Sequence, residues 1–155
     1  MAIELVKLVS SLFLAVLIHE GGHVAATHMV GGEVTEFNVF SHGQLGYTEA
    51  LLPSDKLGHF YAGGVTASIA SLPAIRWACK KYPDETFFKY WDFWATMDVP
   101  YQAVSCLWRP NSDFSKISKH TDINKSVLVC VGLLFGYLNK NVIISDGKVF
   151  IKKAF

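Results

Sequence analysis

The chain has 155 residues, enough for one domain and no separate regulatory module. Hydrophobic residues make up 51% and charged residues 17%, and a mean hydropathy of +0.29 leans towards a membrane protein. A formal net charge of +1 gives no electrostatic case for nucleic acid, and Cys79, Cys106 and Cys130 form neither a C-x-x-C pair nor a disulfide framework.

The first apolar segment runs from Ile3 to Val30. As a helix it is about 42 Å long, against the roughly 30 Å of a hydrocarbon core, so part of it must tilt or emerge. It has the length of a signal peptide, but Glu4 spoils a positive leader and Ser10 and Ser11 interrupt its apolar core. The expectation is a retained transmembrane helix. Directly after Leu12–Ile18 comes His19-Glu20-Gly21-Gly22-His23, an H-E-x-x-H motif. On a helix, positions i and i+4 share a face, so both imidazoles can hold one Zn²⁺, with Glu20 placed as general base. The alternative is a surface helix with a histidine pair and a solvated glutamate. The apolar flank argues against it, because ionisable groups in a lipid-facing helix are expensive and are kept for function. Gly21 and Gly22 each weaken a helix by about 1 kcal/mol relative to Ala. In exchange they leave room for a substrate backbone or for a closely packed helix.

Between residues 31 and 56, the stretch Val34–Phe40 alternates enough for a strand, and Gly43 and Gly46 supply turns. A short hairpin able to pair with an extended peptide, or a plain connecting loop, fits equally well. Leu57–Ile75 is a helix rich in Gly, Ala and Ser, suited to close packing. Thr86–Trp108 is strongly aromatic, with Trp91, Trp94 and Trp108 suited to a membrane interface. Ser126–Leu138 is a short apolar helix, and Asn141–Ile151 reads as a hairpin around an Asp146-Gly147 turn. The predicted fold is therefore mainly α: a single membrane-embedded domain over residues 1–155, a polytopic bundle of about four apolar helices. A strand loop follows the first helix and a β-hairpin ends the chain. Lys and Arg are spread over both sets of loops and do not set an orientation.

A catalytic zinc takes three protein ligands and keeps one open position. His28 lies on the opposite side of the helix from His19 and is rejected; His42 and His59 read as polar loop or helix-end residues. Asp98, a carboxylate inside the third apolar segment, needs a partner, and a metal is an effective one. Pro100 is expected to disrupt the helix and turn Asp98 towards the first helix. A polar cavity, Lys89 or Arg109 would also satisfy Asp98. Asp92 and Glu49 are the rival ligands, Glu49 in the manner of a soluble zincin.

These features resemble the site-2 protease family of intramembrane zinc metalloproteases. The resemblance rests on His19-Glu20-Gly21-Gly22-His23 in the first core helix and on its continuation to Gly32. It also rests on the loop with Phe37–Phe40 and Gly43–Tyr47, on the small-residue helix, and on an aspartate 75 residues beyond His23 (98 − 23). It covers about Leu12 to Tyr101. It implies zinc held by His19, His23 and Asp98, with Glu20 as base. The activity implied is cleavage of transmembrane or membrane-proximal peptides in the bilayer, by a multi-pass membrane protein. The family's aspartate stands in a Leu-Asp-Gly context preceded by Asn and prolines, whereas here the local sequence is Met97-Asp98-Val99-Pro100. Two rivals remain at this point: an inactive membrane binding or scaffold protein of the same fold, and a soluble peptidase with Glu49 as third ligand.

Overall fold

Helix α1, Ala2–Met29, takes up almost all of the first apolar segment. It ends where Gly31 adopts φ +76°, a left-handed turn open to glycine, and Gly32 N–H donates to the Thr27 carbonyl at 2.9 Å. The computed structural model describes residues 2–41 and 44–154. Strands β1, Glu33–Ser41, and β2, Gln44–Leu51, follow as an antiparallel pair in which Val39 faces Gly46. Of the two readings of this region, the hairpin is the one found. It folds back over α1, with Phe13 and Phe40 stacked at 5.6 Å between ring centroids. A short 3-10 turn, Ser54–Lys56, leads into α2, Leu57–Lys81. Then come α3, Thr86–Ser105; α4, Asp113–His120; α5, Lys125–Leu138; and α6, Lys140–Ala154.

Three elements differ from the sequence expectation. The C-terminal segment is helix α6 and not a hairpin. Asp146-Gly147 does not turn; Gly147 faces the Phe93 ring, which a Cβ there would meet at 3.3 Å. Packing of this stretch against α3 outweighs the local turn signal. Helix α4 lies between Trp108 and Ser126, a polar stretch with no apolar segment from which a helix is expected. Ser112 caps it by accepting from Ser115 N–H at 3.4 Å, and Phe114 and Ile117, three apart, are buried. Helix α3 runs unbroken through Pro100, whose ring packs near Gly136 of α5.

The core lies among α2, α3, α4 and α5. Val65, Val99, Ala103, Cys106, Phe114 and Ile117 form one cluster, and Leu72, Ile75 and Ala95 form another. A polar network ties the helices at one end. Arg76 Nε lies 3.4 Å from Asp92 Oδ1, and Thr96 Oγ1 donates to the same oxygen at 3.0 Å. Arg76 Nη2 donates to Asn139 Oδ1 at 2.7 Å, at the junction of α5 and α6. The N-terminal turns of α1 are fastened to α3: Thr86 and Tyr90 hydroxyls donate to Glu4 Oε2 at 2.8 and 3.0 Å, and Lys7 pairs with Glu85 at 2.6 Å.

Among the described residues, α1 is the one helix long and apolar enough to cross a membrane. The α5–α6 pair passes the same measure only if its two helices, bent by 61°, are taken as one span. Helix α3 falls short of the expected span because it carries Lys89, Asp92 and Asp98, and α2 because Gly, Ser, Thr and His dilute its apolar residues over Leu57–Ala74. Large apolar side chains are nevertheless exposed along α1 (Ile3, Val6, Val9) and α5 (Val131, Leu134, Leu138).

Candidate metal centre

His19 and His23 stand one turn apart on α1, with ring centroids 5.0 Å apart. Helix α2 can reach them because glycines meet where it crosses α1. A Cβ on Gly22 would lie 2.3 Å from the Gly63 carbonyl oxygen, and one on Gly63 would lie 2.5 Å from the Gly22 carbonyl oxygen. Gly22 therefore serves helix packing, while Gly21 has nothing within 4 Å of its Cβ position. Gly64 forms the floor of the site: its Cβ would sit 2.5 Å from His19 Nε2 and 2.6 Å from His23 Nε2.

The partners of the two rings fix which nitrogens remain available. His23 Nδ1 lies 2.7 Å from the Phe60 carbonyl oxygen, which can only accept, so Nδ1 carries the proton. His19 Nδ1 lies 2.8 Å from Asp98 Oδ2 and donates in the same way. In the neutral rings both Nε2 atoms are then lone-pair acceptors, and they sit 3.3 Å apart. A third acceptor completes the group. Asp113 Oδ2 is 2.9 Å from His19 Nε2 and 3.5 Å from His23 Nε2. It is buried, and neither approach is aligned as a hydrogen bond. Three acceptors converging on one point without a donor among them call for a cation.

Of the residues expected at the site, His19 and His23 contribute converging atoms and Asp98 does not. Asp98 reaches His19, as its burial in an apolar helix required, but at Nδ1, on the far side of the ring from the convergent atoms. It orients the imidazole from behind, a carboxylate–histidine arrangement common at metal sites. Asp113 Oδ2 is the carboxylate atom that lies beside the two Nε2 atoms. It projects from the first turn of α4, where its own N–H is 3.2 Å from Gln102 Oε1. Two signals in the sequence could have found it. Ser112 is a helix N-cap residue ahead of Phe114 and Ile117 at helical spacing. Pro110 and Asn111 precede Asp113, whereas the stretch before Asp98 has no such residues.

Glu20 is buried beside the histidines, and His19, Glu20 and His23 offer ligand atoms within 4.8 Å of one another, close enough to bind a metal ion. Thr48 of β2 donates to Glu20 Oε2 at 2.9 Å. Glu49, the next residue, is exposed; side chains alternate along a strand, so with Thr48 turned to the site Glu49 is turned from it. Asp92 is engaged by Arg76 and Thr96. His28 and His59 are exposed and away from the centre, and His42 and Gly43 lie outside the described residues. Comparison with known proteins gives no relative: no family model, no curated protein and no solved structure matches the chain.

Proposed function

We propose that this protein is a zinc-dependent endopeptidase that hydrolyses peptide bonds of membrane-protein substrates within or near the bilayer. The observation that carries the reading is the convergence of His19 Nε2, His23 Nε2 and Asp113 Oδ2 beside Glu20. A tetrahedral zinc with bonds of about 2.0–2.1 Å keeps its ligand atoms about 3.3 Å apart. The three separations here are 3.3, 2.9 and 3.5 Å. The donor set of two imidazoles and one carboxylate, with an acid beside it, is that of a hydrolytic and not a structural zinc. The resemblance to the site-2 protease family supports the same reading, with Asp113 in the role first assigned to Asp98.

Zinc held there supplies Lewis-acid activation of water and polarisation of the scissile carbonyl. His19 and His23 are held in the metal-binding tautomer by Asp98 and the Phe60 carbonyl. Glu20 accepts the proton of the attacking water and passes it to the leaving amine as the C–N bond breaks. The β1–β2 hairpin beside Glu20 offers a strand against which an unwound substrate segment can lie. The exposed apolar surfaces of α1 and α5 favour a chain embedded in lipid through α1 and the bent α5–α6 pair, with α2 and α3 packed around the site.

The test is cleavage of labelled casein by zinc-loaded protein in detergent, wild type beside Glu20→Gln. The variant should keep its zinc and lose activity by about 10²–10⁴-fold. Equal activity in the two would rule out Glu20 as base. A zinc-loaded wild type inert on casein and on transmembrane peptides would favour a binding protein of the same architecture.

A further inference from the structure

Resting on the peptidase reading, we infer that Thr48 is the positioning residue of the general base, so that the β-hairpin holds Glu20 in its working geometry. Among the described residues, Thr48 is the one side chain that donates a hydrogen bond to Glu20. Its hydroxyl lies 2.9 Å from Oε2 and 3.3 Å from the Glu20 backbone oxygen. A hydroxyl has one proton, and the shorter, charge-assisted contact to the carboxylate takes it. Gly46, two residues earlier and so on the same face of β2, lies against the same side chain. A Cβ there would sit 2.8 Å from Glu20 Cγ and 3.0 Å from Oε1. One strand face therefore boxes in the carboxylate: Gly46 leaves room for its stem and Thr48 fixes Oε2. Oε1 is left as the atom that takes the proton of the attacking water and returns it to the leaving nitrogen.

The position is also coupled to the rest of the hairpin. β2 is paired to β1 from Glu33↔Leu51 onward, and β1 is anchored on α1 through Phe40 on Phe13. A base held by a strand is set by whatever sets the strand, including a peptide paired along its edge.

The experiment compares wild type, Thr48→Val and Thr48→Ser as zinc-loaded proteins. It measures kcat and KM on labelled casein and the Kd of a peptide hydroxamate, whose acidic proton would be shared with Glu20. Valine is close to threonine in shape and serine keeps the hydroxyl, so both variants should fold and retain zinc. Thr48→Val is expected to lower kcat and weaken hydroxamate binding, each by about 10–100-fold, with KM within about twofold. Thr48→Ser should stay within about threefold of wild type. Wild-type kcat and hydroxamate affinity in Thr48→Val, or an equal loss in Thr48→Ser, would overturn the inference. A wild type that binds the hydroxamate but cleaves nothing would overturn the peptidase reading alone, leaving the ratio of affinities to decide the role of Thr48. A zinc-loaded wild type with no affinity for the hydroxamate would overturn both.

Discussion

Gly64→Ala should empty the metal centre while leaving the helix that carries it intact. The added Cβ would lie 2.5 Å from His19 Nε2 and 2.6 Å from His23 Nε2, where ordinary contact begins at 3.4 Å. The two rings would have to retreat by about 0.8–0.9 Å, whereas a metal site tolerates about 0.2 Å in its bond lengths. Displacing two ligands at once should cost at least the 10–100-fold in affinity that loss of an outer partner costs. Alanine favours the α2 helix by about 1 kcal/mol, so poor folding is not the expected cause. Gly21→Ala is the control, since nothing lies within 4 Å of its Cβ position. It should keep zinc and raise the melting temperature. Zinc affinity is read by equilibrium dialysis against a chelator buffer, and folding by thermal unfolding in detergent. Wild-type zinc affinity in Gly64→Ala would refute the placement of α2 against the two imidazoles.

Arg76→Ala should destabilise the protein by about 2 kcal/mol, below the 3–5 kcal/mol of a fully buried pair because Arg76 is itself partly exposed. Joint replacement by Arg76→Met and Asp92→Leu should recover most of the loss, as thermal unfolding can show. Glu49→Ala should leave zinc content and affinity unchanged; loss of metal in that variant would restore the soluble-zincin ligand set. Alkaline carbonate should leave the protein in the membrane pellet, and its release would contradict the embedding proposed for α1 and α5.

The strongly patterned parts of the chain were legible as sequence. The apolar helices stood out by composition, and the i, i+4 spacing of His19 and His23 placed both rings on one face with Glu20 beside them. The alternation of Val34–Phe40 left strand and loop equally open, and pairing with Gln44–Leu51 decided it. The rest depended on contacts between distant segments. A carboxylate in an apolar helix needs a partner, and Asp98 has one in His19. Which ring nitrogen it meets, however, is set by the crossing of α1 and α3, and sequence does not carry that. Asp113 was missed because its helix is only eight residues long and sits among charged residues. Its burial is created by α2 and α5 closing over Phe114 and Ile117. At Asp146-Gly147 a strong local turn signal is overridden by packing of α6 against α3, where Gly147 lies against the Phe93 ring.

The most direct test is the zinc content of detergent-purified wild type, Asp113→Ala and Asp98→Ala. About one zinc per chain is expected in the wild type. Asp113→Ala should lose zinc, and Asp98→Ala should retain it with affinity weakened by about 10–100-fold. Zinc lost in Asp98→Ala but held at wild-type affinity in Asp113→Ala would contradict the ligand set, and folded wild type without affinity for zinc would contradict the centre itself.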